Sequence, residues 1–291
     1  MRKLGRVIKF YNSFFFVKVG AEIIPCKLRG LLKRDKKIGS AVNVGDFVEI
    51  SKLKDKSGVI ENVQSRRNIL IRPPIANVDR VILTFAVDAP KLHPLLLNRF
   101  LVLAEKSALD EIIICVNKID LAAEENFLAE YERLYKVLRV SAATGAGVDE
   151  LRKILSAGVT VFAGPSGVGK SSLLNAVDKN LKLKVGKVSE KILRGKHTTR
   201  VSELIEFGDG FLVDTPGFSA VDLAEAGLDK KNLWHCFKEF APFAESCKFL
   251  NGCSHSHEPD CGVKAAVERG EIFRERYESY MTLLAEVETQ K

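Results

Sequence analysis

The chain has 291 residues, 46% of them hydrophobic and 28% charged. That is enough apolar material for two or three packed domains of about 100–200 residues each, and too much for a disordered polyelectrolyte. Residues 1–67 hold 16 Lys and Arg against 6 Asp and Glu, and the remainder 29 against 31. The net charge of +8 is therefore confined to the first quarter of the chain, which excludes a uniformly polybasic protein.

Residues 4–63 read as short strands: Val7–Lys9, Phe14–Val19, Ile23–Leu28, Phe47–Ile50 and Gly58–Val63, separated by turns at Tyr11-Asn12-Ser13, Gly20 and Gly45-Asp46. Five strands in so short a span predict a small barrel, with an OB-fold as the leading architecture. Its basic loop, Arg29 to Lys37, points to nucleic acid as the partner. From residue 68 the texture changes. Strand-length apolar runs at Val81–Val87, Ile112–Val116, Leu138–Val140, Val159–Ala163, Ser202–Phe207 and Phe211–Val213 alternate with helical patterns at Leu95–Ser107, Ala123–Lys136 and Gly169–Asp178. That alternation predicts an α/β domain with a mostly parallel sheet. After Ser219 short helical stretches flank a Cys/His cluster, and Glu271–Glu288 reads as an amphipathic helix. Its apolar residues Ile272, Phe273, Tyr277, Tyr280 and Leu284 are expected to seal against the α/β domain. The divisions expected are 1–67, 68–222 and 223–291.

No uncharged apolar run approaches the roughly 18 residues of a membrane helix, and the stretch after the basic N-terminus is broken by Asn12, Ser13 and Lys18. A soluble, cytoplasmic monomer without a secretory signal is expected. The scattered Cys26, Cys115 and Cys236 fit small buried hydrophobes better than a disulfide framework.

Gly164-Pro165-Ser166-Gly167-Val168-Gly169-Lys170-Ser171, with Ser172 following, fits the phosphate-loop pattern between a strand and a helix. Glycines let successive N–H groups turn inward onto phosphate oxygens, and the helix N-terminus adds its positive field. Lys170 would reach the β- and γ-phosphates and Ser171 would ligate Mg2+. Asn117-Lys118-Ile119-Asp120 leaves a buried-looking strand, at the sheet edge where α/β ligands bind. The carboxylate of Asp120 can accept from the ring N–H and the exocyclic amine of guanine, donors that adenine lacks on that edge. Ser141-Ala142-Ala143 offers backbone N–H groups to the guanine carbonyl. Asp214-Thr215-Pro216-Gly217 ends a strand: Asp214 can hold Mg2+ through water and the Gly217 N–H can meet a γ-phosphate. Between the phosphate loop and Asp214, Gly195-Lys196-His197-Thr198-Thr199-Arg200 supplies hydroxyls that can close on Mg2+. Cys247, Cys253, His255 and Cys261 are spaced C-x5-C-x-H-x5-C, the donor set of a closed structural zinc site; His257 competes with His255 as the nitrogen ligand.

The order is unusual, because Asn117–Asp120 and Ser141–Ala143 precede Gly164–Ser171, whereas ordinary GTPases place the phosphate loop first. The sheet still assembles, since domain termini lie close together and permutation is tolerated. A basic barrel, a GTPase with permuted motifs and a C-terminal Cys/His cluster together resemble the ribosome small-subunit-dependent GTPase A family of bacteria, over essentially the whole chain. The resemblance implies an OB-fold that contacts ribosomal RNA, GTP hydrolysis stimulated by the small subunit, and a role in late small-subunit maturation. It also favours His255 over His257 as a zinc ligand. Ras-type enzymes orient the attacking water with a Gln after the Asp-x-x-Gly segment, but here that residue is Phe218. His197 is the leading candidate for the missing group, from its place in the loop that closes on γ-phosphate and from the resemblance; the backbone alone or a group of the ribosome are the others. Two other readings are an RNA-binding assembly scaffold with structural GTP and an ATP-using phosphate-loop enzyme, the latter requiring Asn117–Asp120 to be coincidental.

Overall fold

The computed structural model describes residues 2–29, 42–70, 73–121, 128–181, 203–214 and 222–289. Strands β1 (Arg2–Tyr11), β2 (Phe14–Val19), β3 (Glu22–Leu28), β4 (Phe47–Lys52) and β5 (Gly58–Val63) close into a barrel in the order β1-β2-β3-β5-β4. Period-two alternation drives it: Val7, Phe15, Val17, Ile24, Cys26, Val48, Ile50 and Ile60 are buried, while Lys3, Tyr11, Lys27 and Lys52 stay outside. The β1–β2 hairpin turns on Asn12 and Ser13, both at positive φ (48° and 66°), the twist-matched geometry for a two-residue loop. β3 and β5 are parallel and the other barrel pairs antiparallel. The expected strands are all present, with β1 longer than predicted at both ends. Most of the basic loop, residues 30–41, lies outside the described residues.

A two-stranded ribbon, β6 (Ile69–Leu70) with β7 (Ile75–Ala76), connects the barrel to a six-stranded sheet. That sheet comprises β8 (Arg80–Ala86), β9 (Glu111–Asn117), β10 (Lys136–Arg139), β11 (Val159–Ala163), β12 (Ile205–Phe207) and β13 (Gly210–Asp214), in the order β10-β9-β8-β11-β13-β12. All neighbours are parallel except β12 and β13. The chain winds outward from β8 through β9 to β10 and then returns to place β11 on the other side of β8. This reversal opens a crevice at the carboxyl ends of β8 and β11, the place where doubly wound sheets bind ligands. The buried runs Val81–Phe85, Ile113–Val116 and Val159–Ala163 show why the strands read as continuous apolar segments: both faces are covered.

Helices α1 (Pro94–Lys106), α2 (Leu128–Glu132), α3 (Val148–Leu155) and α4 (Lys170–Val177) accompany this sheet. The helix expected over Ala123–Lys136 is corrected to Leu128–Glu132 among the described residues, with 122–127 outside them. The Leu134 and Tyr135 amides turn back onto the Tyr131 carbonyl, and Lys136 already belongs to β10, where Leu138 is buried in register with Cys115. Sheet pairing of an apolar segment has overridden a helical pattern. Of the strand expected over Ser202–Phe207, Ser202 lies outside the described residues and β12 begins at Ile205, since the Leu204 amide donates to the Ile8 carbonyl of the barrel (2.8 Å) rather than to the sheet.

The barrel and sheet meet on polar as well as apolar contacts. The Arg6 guanidinium donates to the carbonyls of Gly45 and Asn77 and lies over the rings of Phe47 and Phe211. Beyond residue 222 short helices lead to a final helix, Arg274–Thr289, which packs on α1. Ile272, Tyr280 and Leu284 are buried and Phe273 and Tyr277 partly so, but the two tyrosines face the Cys/His region, with Tyr280 edge-on to Phe240, and not the α/β domain alone as expected. Among the described residues no helix is long and apolar enough to cross a membrane. Cys26, Cys115 and Cys236 are free and buried; burial pushes their thiols up to about 11, 12 and 12, which makes them inert at neutral pH.

Candidate nucleotide and metal sites

Strand β11 delivers the loop Gly164–Gly169 to the crevice. Gly164 has φ +148°, and a Cβ there would stand 2.0 Å from the Thr84 carbonyl oxygen, so only glycine lets the loop leave the sheet beside β8. Gly169, at φ +91°, immediately precedes α4, and a Cβ on it would stand 2.4 Å from Asn117 Nδ2. Pro165 is half-buried, Ser166 and Gly167 are exposed at the tip, Val168 is buried beneath them, and Ser171 and Ser172 lie half-buried in the first turn of α4. Lys170 Nζ donates to the carbonyls of Gly164 (2.8 Å) and Pro165 (2.7 Å), which holds its ammonium over the mouth of the loop.

Asn117 ends β9 with 1% of its surface exposed. Its Nδ2 donates to the Val168 carbonyl (2.8 Å) and its Oδ1 accepts from the Ala142 amide (3.2 Å). One side chain thus ties together the phosphate-loop segment, the Asn-Lys-x-Asp segment and the Ser141–Ala143 segment. Lys118 Nζ donates to the carbonyls of Gly167 (2.9 Å) and Ala89. Ser141 Oγ donates to Asp120 Oδ1 and accepts from the Thr144 amide, which fixes the carboxylate against the neighbouring loop. Asp214 ends β13 in register with Phe162 of β11, so its backbone stands at the same carboxyl edge. His197, Thr198, Thr199, Gly217 and Phe218 lie outside the described residues.

Replacement of Asn117 by Ala is expected to raise the dissociation constant for a fluorescent guanine nucleotide by about tenfold or more. Each buried group left unpaired, the Val168 carbonyl and the Ala142 amide, costs about 1–3 kcal/mol. Wild-type affinity in an equilibrium titration would show that the three loops hold their places without the clamp.

In the C-terminal region the ligand atoms of Cys247, Cys253, His255 and Cys261 all lie within 4.8 Å of one another, and all four residues are buried. Cys247 Sγ is 3.7 Å from Cys261 Sγ, and His255 Nδ1 is 3.5 Å from each of those sulfurs. A tetrahedron with metal–sulfur bonds of about 2.3 Å has edges of about 3.8 Å, so this donor set fits a zinc ion. Burial pushes the Cys253 thiol up to about 12 and raises Cys261 as well; a divalent cation reverses that cost by favouring the thiolates. His257 is exposed and lies outside the cluster that includes His255.

The surroundings of the cluster were not apparent from spacing. Burial acts to raise Glu258, but hydrogen bonds from the Ser254 hydroxyl and amide and from its own and the Ser256 amide hold it at about 2. Tyr280 and Tyr277 of the final helix donate to the carbonyls of Ser254 and His255. The Trp234 ring meets His255 edge-on at 5.1 Å. The Ser254-x-Ser256-x-Glu258 spacing was the available signal for the first of these; nothing local signalled the tyrosines. Ala89, which receives Lys118, follows β8 without any motif.

A phosphate loop at the end of β11, clamped to an Asn-Lys-x-Asp segment that comes earlier in the chain, defines a circularly permuted GTPase domain, here joined to a closed β-barrel and a Cys3His region. Residues 4–60 match the model of the RsgA N-terminal domain and residues 63–224 that of the RsgA GTPase. The chain belongs to the RsgA GTPase family. It is 42% identical over 293 residues to the small ribosomal subunit biogenesis GTPase RsgA of Caldanaerobacter subterraneus, covering 99% of this chain and 96% of the relative. It is likewise 42% identical to RsgA of Thermotoga maritima over 296 residues, covering 99% and 97%. The crystal structure of YjeQ from Thermotoga maritima superposes with a TM-score of 0.84 at 39% identity, covering 99% of each chain. YloQ, described as a circularly permuted GTPase, superposes with a TM-score of 0.80 at 34% identity, covering 100% of this chain and 96% of the other.

Proposed function

We propose that this protein binds the small ribosomal subunit and hydrolyses GTP during its maturation, with hydrolysis stimulated by the subunit. The observation that carries the reading is the Asn117 clamp, which ties the phosphate-loop segment at Val168 to the Ser141–Ala143 segment at Ala142, with Asp120 held beside them by Ser141. The relatives' shared description as small ribosomal subunit biogenesis GTPases supports the partner, and the basic barrel supports contact with ribosomal RNA. We divide the work between a cytoplasmic monomer's RNA-binding barrel (1–67), GTPase domain (68–222) and zinc-binding helical region (223–291).

The residue roles follow from donor and acceptor chemistry. Asp120 accepts from the guanine ring N–H and amine, with Ser141 holding its other face, and the Ala142 amide region meets the guanine carbonyl. Lys118 braces the base pocket against Gly167. The backbone N–H groups of Gly164 and of Ser166 to Ser172 cradle the phosphates, with Pro165 shaping the loop, and Lys170 leaves its two carbonyls for the β- and γ-phosphate oxygens. Ser171, Thr199 and Asp214 would hold Mg2+, which supplies neutralisation of the charge that builds on the phosphates. Thr198 and the Gly217 amide are assigned to the γ-phosphate side, and His197 to orienting the attacking water, a role the apolar Phe218 cannot fill. Zn2+ at Cys247, Cys253, His255 and Cys261 is structural, since four protein ligands leave no open position.

The test is GTP hydrolysis measured alone and with purified small subunits, with ATP as control. Stimulation is expected with GTP and not with ATP, and His197→Ala is expected to keep GTP binding and lose the stimulated rate. Tight GTP binding without stimulation would favour an RNA-binding scaffold in which the nucleotide is structural.

A further inference from the structure

Strand β1 changes partners along its length. From Arg2 to Arg6 it pairs with β4, and from Arg6 to Tyr11 it pairs on its other edge with β2. Its register with β2 shifts between Val7, opposite Val17, and Lys9, opposite Phe16. Ile8 is therefore the extra residue of a bulge, without a counterpart on β2. A bulge leaves its extra residue outside the ladder and re-aims the backbone. Here the Ile8 carbonyl accepts the Leu204 amide at 2.8 Å, and Lys9 forms an antiparallel bridge with Glu203.

The side chains repeat the connection. Ile8 and Leu204 are both buried. Lys9 Nζ lies 2.8 Å from Glu203 and Lys18 Nζ 2.5 Å from Glu206. Two of the barrel's lysines are thus committed to the GTPase domain. Both glutamates remain about half exposed (45% and 50%), so these ion pairs are weak and exchangeable. The buried apolar pair and the backbone bond form the anchor.

What the seam holds is β12, the short edge strand of the sheet. It has three residues, none of them buried, and pairs only with β13 among the described strands. Such an element has little stability of its own. β13 in turn runs beside β11, which carries the phosphate loop, and ends at Asp214. A second contact reaches β13 directly, since Arg6 of β1 lies over Phe211. The barrel therefore touches both strands of the β12–β13 hairpin, whose second strand lies beside the strand that carries the phosphate loop.

We propose that the β1–β12 seam, built on the Ile8 bulge and Leu204 with Lys9–Glu203 and Lys18–Glu206 beside it, transmits the nucleotide state to the barrel. The inference rests on the nucleotide reading of Gly164–Ser171 given above. Coupling of binding is reciprocal: if the GTP and GDP states differ in how β12 holds β1, a partner that engages the barrel shifts the balance between those states by the same factor. Coupling between binding of the partner and the nucleotide state then needs no contact between the two.

The test is hydrogen exchange on the full chain, read by mass spectrometry, with GDP and with a non-hydrolysable GTP analogue. Expected in the wild type is a change of about fivefold or more in the exchange of amides in 6–11 and 203–207 between the two nucleotides, the low end of ordinary coupling. Two variants break the seam differently. Leu204→Pro removes the donor to Ile8, and Glu203→Lys with Glu206→Lys turns both ion pairs repulsive at exposed positions. In each, the change at 6–11 is expected to collapse while nucleotide protection of 164–177 persists, which also shows that the GTPase domain has folded. Identical exchange at 6–11 in both nucleotides, or a change that survives undiminished in both variants, overturns the proposal. Absence of protection at 164–177 with either nucleotide in the wild type sinks the nucleotide reading and the seam with it, a pattern distinct from failure of the seam alone.

Discussion

Stripping a metal from Cys247, Cys253, His255 and Cys261 is expected to melt the loop from Cys247 to Cys261 while the barrel, the sheet and the final helix stay folded. Structural zinc contributes about 10–16 kcal/mol of apparent binding free energy in small domains, and little else stabilises the loop between Cys247 and Cys261. Its immediate supports, Glu258 on the Ser254 and Ser256 amides and the two tyrosine hydroxyls on the loop carbonyls, are contacts to the same loop. The protein reports the event itself, because its one tryptophan is Trp234, packed edge-on against His255. A strong chelator is expected to shift the tryptophan emission to the red in proportion to zinc released. Cys261→Ser is expected to show the shifted spectrum from the outset and no response to chelator. Unchanged emission from protein shown to be metal-free would remove the metal from the list of stabilising elements.

Replacement of Arg276 by Met is expected to cost about 3–5 kcal/mol, the range for breaking one half of a buried ion pair. Arg276 is 1% exposed. Nε and a terminal nitrogen bind the two carboxylate oxygens of Glu239 (2.6 and 2.9 Å), and its other terminal nitrogen donates to Asn98 Oδ1 (2.7 Å). Its guanidinium lies over the rings of Phe237 and Tyr131. Burial acts to lower its pKa, but Glu239 more than offsets this and raises it, so the cation is secure at any pH at which the protein is folded. Met fills similar volume and leaves the carboxylate stranded. The companion variant Arg276→Met with Glu239→Leu is expected to recover most of the loss, since replacing both partners by apolar groups is often neutral or stabilising. Denaturant melts of the two variants decide it: equal losses would mean that Arg276 acts through packing alone.

The parts that were legible share one property: the physical signal sits within a few residues. Phe14–Val19 alternates because one side of a barrel strand is always buried, and Gly164–Ser171 must carry its glycines where the backbone turns inward. The Asn117–Asp120 segment could be placed at the sheet edge because it directly follows the buried run Ile113–Val116. By contrast, the helix drawn through Lys136 failed because strand pairing of Leu138 with Cys115 is a long-range matter. Arg276 reads as a solvent-facing charge on an amphipathic helix until Glu239 and Asn98 are brought to it. His255 and His257 are equivalent by spacing and differ only in which one the fold buries. The pairing of Ile8 with Leu204 leaves no trace in the sequence, since a bulge is visible only against its partner strand.

The helix Arg274–Thr289 packs on α1 and is pinned there by Arg99 with Glu286 and by Arg276 on Asn98. Helix α1 buries Leu97, Phe100, Leu101, Val102, Leu103 and Ala104, more of its circumference than one sheet face can cover. On a growing polypeptide these two helices are separated by five of the sheet's six strands and the metal loop. Helix α1 must therefore wait with an apolar flank open to water until Arg274–Thr289 emerges, although β8 and β9 on either side of it can already pair. The nascent chain carries a sticky, half-finished domain for most of its synthesis, and truncation before Arg274 would make that condition permanent.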